Sequence, residues 1–373
     1  MLGINESHLP KTISDAVAIT RQLAIKYLWV DSLCICQGDA EDWSRESARM
    51  TEVYSNAHIV IANNHGNDSS VGCFSTRIPR PMSELNLPGF ARNLVAMVLY
   101  IQDEMWVDLG EFGGEALTQR GWALQERVLA KRLLHYNTRQ MYFECSQGIF
   151  SEDDCTTKNR YCSLDASLRQ WNELVASYGK RKLTNSSDKF PAIGGLAKLF
   201  EKELKAQYIA GLWSTHLISG LAWSRSHQIV STNKEYLGPS WSWASYGDRA
   251  IFSGEGGSDI SKVVEWNVEP RSQSNVYGEI ASAWLRIRAP ILNLIPGISE
   301  SMFTLHKDDR SRYVFFDSTE TESGKRHTWD LEILLLQEKV INAQIDDNYE
   351  CFALIVSKVG NERKRVGCKF LWD

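Results

Sequence analysis

Trp122-Ala123-Leu124-Gln125-Glu126-Arg127-Val128-Leu129 is the stretch on which the reading of this chain turns. Arg120-Gly121 opens it, and the apolar run Leu133-Leu134-His135-Tyr136 follows shortly after. Trp122, Leu124, Val128 and Leu129 anchor a helix in a core, and the run behind it reads as a strand. Glu126 is then held rigidly near the N-terminal end of the helix, where a buried acid can be tuned for chemistry. The same spacing fits an exposed glutamate in a W-x-x-x-E helix, and both readings stand at this point.

Outward from that helix, upstream segments alternate in type. Leu9-Pro10-Lys11-Thr12-Ile13-Ser14 runs from a loop into a helix that continues through Ile19, Leu23 and Ala24, with Thr12 or Ser14 as its cap. Tyr27-Leu28-Trp29-Val30-Asp31 reads as a short apolar strand ending in an acid. Asp31 and Ser32 would sit at its carboxyl end, where open parallel sheets carry their chemistry. Alternatively, Asp31 caps the following turn. A helix is expected from about Asp42 to Tyr54, with Trp43, Met50 and Val53 on one stripe. Glu46 lies close to that stripe and either pairs with Arg45 or Arg49 or points toward the sheet end. His58-Ile59-Val60-Ile61-Ala62 is a second buried-type strand, followed by the turn-rich Asn63 to Ser70.

An insert of about 71 to 115 follows, with a hairpin pattern around Leu94 to Ile101, and a further strand is expected over Gln140 to Glu144. This alternation of helices and strands predicts an α/β fold with a mostly parallel sheet. The polar run Ser151 to Lys158 marks the end of the first domain. Leu168, Trp171, Leu174, Val175 and Tyr178 recur at helical spacing, as do Leu196 to Leu204 and Tyr208 to Leu221. From Gly238 onward, strand-like pieces such as Trp284-Leu285-Arg286-Ile287-Arg288 and Phe352-Ala353-Leu354-Ile355-Val356 dominate.

Composition bounds the function. The chain has 373 residues, 43% hydrophobic, and a formal net charge of -5, so no global basic field favours nucleic acid or a membrane surface. Its eight cysteines form no C-x-x-C pair and no zinc spacing, so no metal is expected. No stretch approaches the roughly 18 consecutive apolar residues of a membrane span. A reducing, cytoplasmic setting is the simplest expectation. Thirteen tryptophans, with Trp213 near Trp223 and Trp241 near Trp243, point to aromatic cores rather than sites.

Taken together, the blocks Tyr27 to Ile35, Trp43 and Glu46 ahead of Met50 and Tyr54, Ala57 to Ala62, and Arg120 to Arg127 resemble the fungal heterokaryon-incompatibility (HET) domain. Tyr178-Gly179-Lys180-Arg181, Asp188, Gly194 to Ala197 and Pro239 to Ser245 resemble the region that trails it in filamentous-fungal members. HET domains are associated with programmed cell death on hyphal fusion and with fungal innate immunity. Ala57 to Ile61 followed by Trp122-Ala123-Leu124-Gln125-Glu126 is also similar to the TIR-domain pattern of a strand and a W-x-L-x-E helix, although the spacing is longer here. Enzymatic TIR domains cleave the nicotinamide–ribose bond of NAD with that glutamate. The family's usual opening strand, Y-x-x-L-S-Y-x-W-G, has no counterpart in Met1 to His8.

The resemblance implies a TIR-like (flavodoxin-like) parallel-sheet core lacking its usual first strand over residues 1–150. A helical segment would cover 151–237 and a β-rich C-terminal subdomain 238–373. It makes Glu126 the catalytic carboxylate, with NAD as a substrate rather than a cofactor. Asp31, Ser32, Trp122, Arg120 and Glu46 are the candidates for lining the substrate crevice. A carboxylate stabilises the oxocarbenium-like state of N-glycosidic cleavage, Trp122 or Trp29 can stack on a base, and Arg120, or less directly Arg127, can meet a phosphate. The alternative is a non-enzymatic module that self-associates or docks another incompatibility protein, or an inactive truncated member of the family. A cysteine hydrolase using Cys34 or Cys36 is a third reading, with no histidine placed to activate either thiol.

Overall fold

The computed structural model describes residues 4–74, 76, 114–152, 156–157, 167–225, 236–245, 250–252, 257–293, 314–316, 331–342, 348–359 and 362–372. The hairpin expected around Leu94 to Ile101 lies outside these residues. By contact the chain divides into two units, one of Met1–Asp39 and Thr51–Leu164, the other of Ala40–Met50 and Asp165–Asp373.

Helix α1 (Lys11–Gln22) opens after Pro10 and buries Ile13 and Ile19. Neither Thr12 nor Ser14 caps it. The Thr12 hydroxyl instead accepts hydrogen bonds from the Gly72 N–H and the Asn63 amide, each at 3.1 Å. Asp15 also points inward. Burial pushes its carboxyl up, but Lys11 and the N–H groups of Cys73 and Phe74 outweigh that and hold it below its ordinary value.

After α1 come α2 (Asp31–Cys34), α3 (Ala40–Asn56), β1 (Val60–Asn63) and α4 (Gly121–Leu129). Strands β2 (Arg132–Tyr136), β3 (Met141–Cys145), β4 (Gly148–Ser151) and β5 (Thr156–Thr157) complete a five-stranded sheet in sequence order. The expected mostly parallel sheet is corrected here. Only β1 and β2, linked through α4, run parallel, and the other three ladders are antiparallel. Residues 137–140 join β2 to β3, and Ser146 and Gln147 join β3 to β4. Connections so short leave no room for a crossover helix. The strand expected at Tyr27 to Asp31 is corrected too. Residues 25–30 form no regular element and have no ladder partner among the described residues, Tyr27 is 79% exposed, and Asp31 begins α2.

Side-chain alternation gives the sheet two covered faces. Leu134, Tyr136, Ile61 and Met141 pack with Ile19 of α1 on one. Leu133, His135 and Glu144 face the other way, toward α4. There Glu144 is only 1% exposed, and its Oε2 accepts hydrogen bonds from Arg127 Nε and from His135 Nε2, both at 2.8 Å. The Asn64 amide donates to His135 Nδ1 at 3.0 Å and to Asn137 Oδ1 at 2.7 Å. An imidazole accepting at Nδ1 and donating at Nε2 is neutral. Burial holds His135 below its ordinary pKa and outweighs the pull of Glu144. For Glu144 burial pushes upward, but the bond from His135 and the charge of Arg127 hold the carboxyl below its ordinary value. The Leu117 N–H meets the Asn64 carbonyl at 3.0 Å, so the segment entering α4 docks at the end of β1.

In the second unit, Ser167 caps α5 (Leu168–Tyr178) by accepting the Gln170 N–H, and α6 (Pro191–Leu204) starts on proline. The helical reading of Tyr208 to Leu221 holds only for α7 (Leu217–Leu221). Tyr208–Ile209 and Leu212–Trp213 pair as β6 and β7 around Ala210 and Gly211, both at positive φ (47° and 97°). That two-residue turn is a hairpin signal which apolar spacing alone conceals. Of the tryptophans expected in aromatic cores, Trp213, Trp223 and Trp243 are buried and Trp241 is half-buried, and Trp171 is buried as well. The Gly211 carbonyl accepts the indole N–H of Trp243 at 2.9 Å and of Trp171 at 3.2 Å. Beyond residue 238 the described elements are predominantly strands, including a six-stranded antiparallel sheet with Leu331–Asn342, Asn348–Val359 and Glu362–Trp372 at its centre.

Two stability outcomes follow from these cores. A Cβ on Gly211 would lie 2.5 Å from Trp243 Nε1 at a φ of 97°, so Gly211→Ala is expected to cost about 1–3 kcal/mol. Urea unfolding followed by tryptophan fluorescence measures it, and no loss would contradict the turn. The second outcome concerns pH. His135 and Glu144 both have folded pKa values below the unfolded ones, so their contribution is complete above the unfolded values of 6.5 and 4.5 and is lost as pH falls. Stability should therefore decline from pH 6.5 downward, by at most about 1.4 kcal/mol per pH unit per proton taken up. In His135→Gln the decline should begin only nearer 4.5, and an unchanged profile would show that His135 does not contribute to it.

Candidate functional site

Helix α4 has nine residues, and seven of them are buried. The two that keep access to solvent are Trp122 and Glu126, one turn apart on a single stripe. Everything else on the helix is committed to the interior. Arg127, offered at the sequence level as a less direct phosphate ligand, is instead buried against Glu144. Because Arg127 must face the sheet, its neighbour Glu126, about 100° further round the helix, is turned toward the sheet's flank.

What meets Glu126 there is Tyr54, near the C-terminal end of α3. The Tyr54 hydroxyl hydrogen-bonds the Glu126 carboxylate, and Asp31 and Arg120 act on the same hydroxyl electrostatically. Burial of the hydroxyl is the largest influence and raises its pKa well above the ordinary phenol value. The negative charges of Glu126 and Asp31 push further up, and Arg120 pulls back. Tyr54 is therefore a neutral hydrogen-bond donor. Its ring retains some exposure and packs edge-on against Trp29, with centroids 5.9 Å apart and planes at 76°.

Three of the sequence-level candidates thus converge: Glu126 from α4, Asp31 from the first position of α2, and Arg120 from the residue that caps α4. Asp31 and Ser32 are exposed, and the Ser32 N–H donates to Asp31 Oδ1 at 2.7 Å, which fixes the carboxylate over its own helix start. Trp122 shares the open stripe with Glu126. Glu46 lies in the part of α3 that belongs to the second unit, where Arg49 holds it at 2.8 Å and Arg45 at 3.7 Å. Its contacts fit the ion-pair reading. Cys34 and Cys36 are exposed and in no disulfide.

Sequence reasoning missed Tyr54 as a site residue, although it was quoted within the resemblance. A tyrosine one position from the apolar stripe reads as core filling, and only the fold brings it to Glu126. Among the described residues no group of three or more His, Cys, Asp or Glu side chains is placed to hold a metal ion. No helix among them is long and apolar enough to cross a membrane.

Comparison with curated proteins and with solved structures finds no match for the chain. Residues 1–126 match the family model described as heterokaryon incompatibility protein (HET), a span that ends on Glu126 and includes Trp29, Asp31, Tyr54 and Arg120. Such a domain connects the chain with heterokaryon incompatibility. The residues gathered around Tyr54 therefore belong to a heterokaryon-incompatibility domain, which this chain carries over residues 1–126.

Proposed function

We propose that the chain is a cell-death effector of the heterokaryon-incompatibility type that hydrolyses NAD or a related nucleotide at its N-glycosidic bond. The observation that carries this reading is the convergence of Glu126, Asp31 and Arg120 on one desolvated tyrosine hydroxyl beside the open stripe of α4. In the reaction the bond from ribose C1′ to the base nitrogen breaks, and its electron pair leaves with the base. Water adds to C1′ and releases a proton to solvent. Glu126 stabilises the positive charge that develops on the ribose, or grips its hydroxyls, and Asp31 adds a second negative charge. Trp122 offers a flat face to the base, and Arg120 meets a phosphate. The W-x-L-x-E pattern shared with enzymatic TIR domains supports Glu126 in this role.

A second reading has its own observation. Tyr27, Leu28 and Leu33 are 79%, 36% and 45% exposed in one short segment, as a docking or self-association surface would leave them. One measurement separates the two. The purified chain should release nicotinamide and ADP-ribose in equal amounts from NAD, and Glu126→Gln should lower the rate by about 100-fold or more. Release that survives Glu126→Gln would sink the site assignment. A folded chain that releases nothing would favour the docking module, which sedimentation of the wild type beside Leu33→Asp would then examine.

A further inference from the structure

We propose that the base of the β-ribbon formed by Lys262–Pro270 and Ile280–Arg288 binds a phosphate monoester of a hydroxylated molecule, with Lys262 and Arg288 taking the phosphate and Asp259 a hydroxyl beside it. The site belongs to the second unit and rests on nothing proposed for α4. The two strands pair antiparallel, and a bulge at Val264 sets Lys262 on the same face as Glu265, where plain alternation would put them on opposite faces. Along that face the cross-strand pairs are matched. Ser282 donates to Glu269 Oε2 at 2.7 Å, Asn267 stands opposite Trp284, and Arg286 meets Glu265 at 2.5 Å. At the last pair the pattern breaks. Lys262 stands directly opposite Arg288, and neither makes an ion pair among the described residues. Like charges facing each other across a ladder are destabilising, and an anion held between them reverses that.

The two cations border a cleft of about 630 Å³, within the size range of small-ligand sites. Its floor is fixed to the long strand Leu331–Asn342. The Ile260 N–H and the Ser261 hydroxyl donate to the Leu336 carbonyl at 3.0 and 3.2 Å, and the Leu335 N–H donates to the Pro290 carbonyl at 3.1 Å. Asp259 lines the same cleft, and the amide of Gln337, itself only 4% exposed, donates to its Oδ1 at 2.7 Å. The second carboxylate oxygen is left to accept from a ligand. These groups divide by chemistry. A guanidinium fork and an ammonium suit phosphate oxygens, whereas a carboxylate repels them. With Asp259 present, a bare anion fits less well than one that brings its own donor, and a sugar hydroxyl supplies that donor.

Isothermal calorimetry on the full chain, with ribose 5-phosphate and inorganic phosphate as probes, tests the site. Ribose 5-phosphate should bind about tenfold or more tighter than inorganic phosphate, the difference expected of one hydrogen bond to a charged group, and should weaken as salt rises. Arg288→Gln should weaken it by about tenfold. Lys262→Glu should abolish binding while the chain stays folded, because a glutamate opposite Arg288 repeats the Glu265–Arg286 pair. A melting temperature at or above that of the wild type confirms the fold. Asp259→Asn removes the repulsion, so it should tighten inorganic phosphate and narrow the gap between the two probes. A wild type that binds neither probe, or binding that survives Lys262→Glu, overturns the site. Equal affinity of the wild type for both probes overturns the part given to Asp259, and the sugar-phosphate assignment with it.

Discussion

A single buried carboxylate orders the first unit. Glu144 sits on the inner face of β3 at 1% exposure, and an unpaired charge there would cost several kcal/mol. Arg127 comes from the helix and His135 from the adjacent strand to meet it, while Asn64 sets the imidazole tautomer from the end of β1. Such a cluster need add little net stability over apolar packing. Its effect is on register. Rotating α4 by one residue would withdraw the guanidinium from Glu144, so the helix has one allowed orientation on the sheet. With Arg127 committed inward, Trp122 and Glu126 are left as its open stripe.

Much of the secondary structure was legible because burial period and element type agree. α1, α3, β1, α4, β2 and β3 all fall within a few residues of the apolar patterns that announce them. The failures have local causes. Tyr27 to Val30 has strand composition, but a strand is defined by a partner, and none pairs with it among the described residues. Tyr208 to Trp213 has helical spacing over its apolar residues, yet positive φ at Ala210 and Gly211 folds it into a hairpin. The parallel sheet was inferred from alternation, and the two short connections after β2 override it.

The candidate site was legible to the same degree and for the same reason. Glu126, Asp31 and Arg120 were reachable from strand ends, helix starts and family blocks, all of them local features. Tyr54 was not, since its place beside Glu126 arises from a pairing between helices more than sixty residues apart in sequence. His135 and Glu144 were equally hidden. Their partnership depends on the β2–β3 register, in which Leu133 faces Glu144 and His135 faces Tyr142. Arg127 shows the converse error. An arginine beside a catalytic candidate invites a ligand role, but burial against Glu144 assigns it to the scaffold.

The two polar assemblies on either side of α4 divide the work by solvent access. On the sheet side, Glu144, His135 and Arg127 are nearly sealed, and protonation of His135 and Glu144 changes the free energy of the fold. On the open side, Glu126, Asp31 and Arg120 retain access to solvent while the tyrosine hydroxyl between them does not. That inversion matters for chemistry. The acid on this side lies beside a dry, neutral donor while its own helix stripe stays open to solvent. The sealed side fixes the helix and the open side faces solvent, and a nine-residue helix is enough to separate them because consecutive residues point 100° apart.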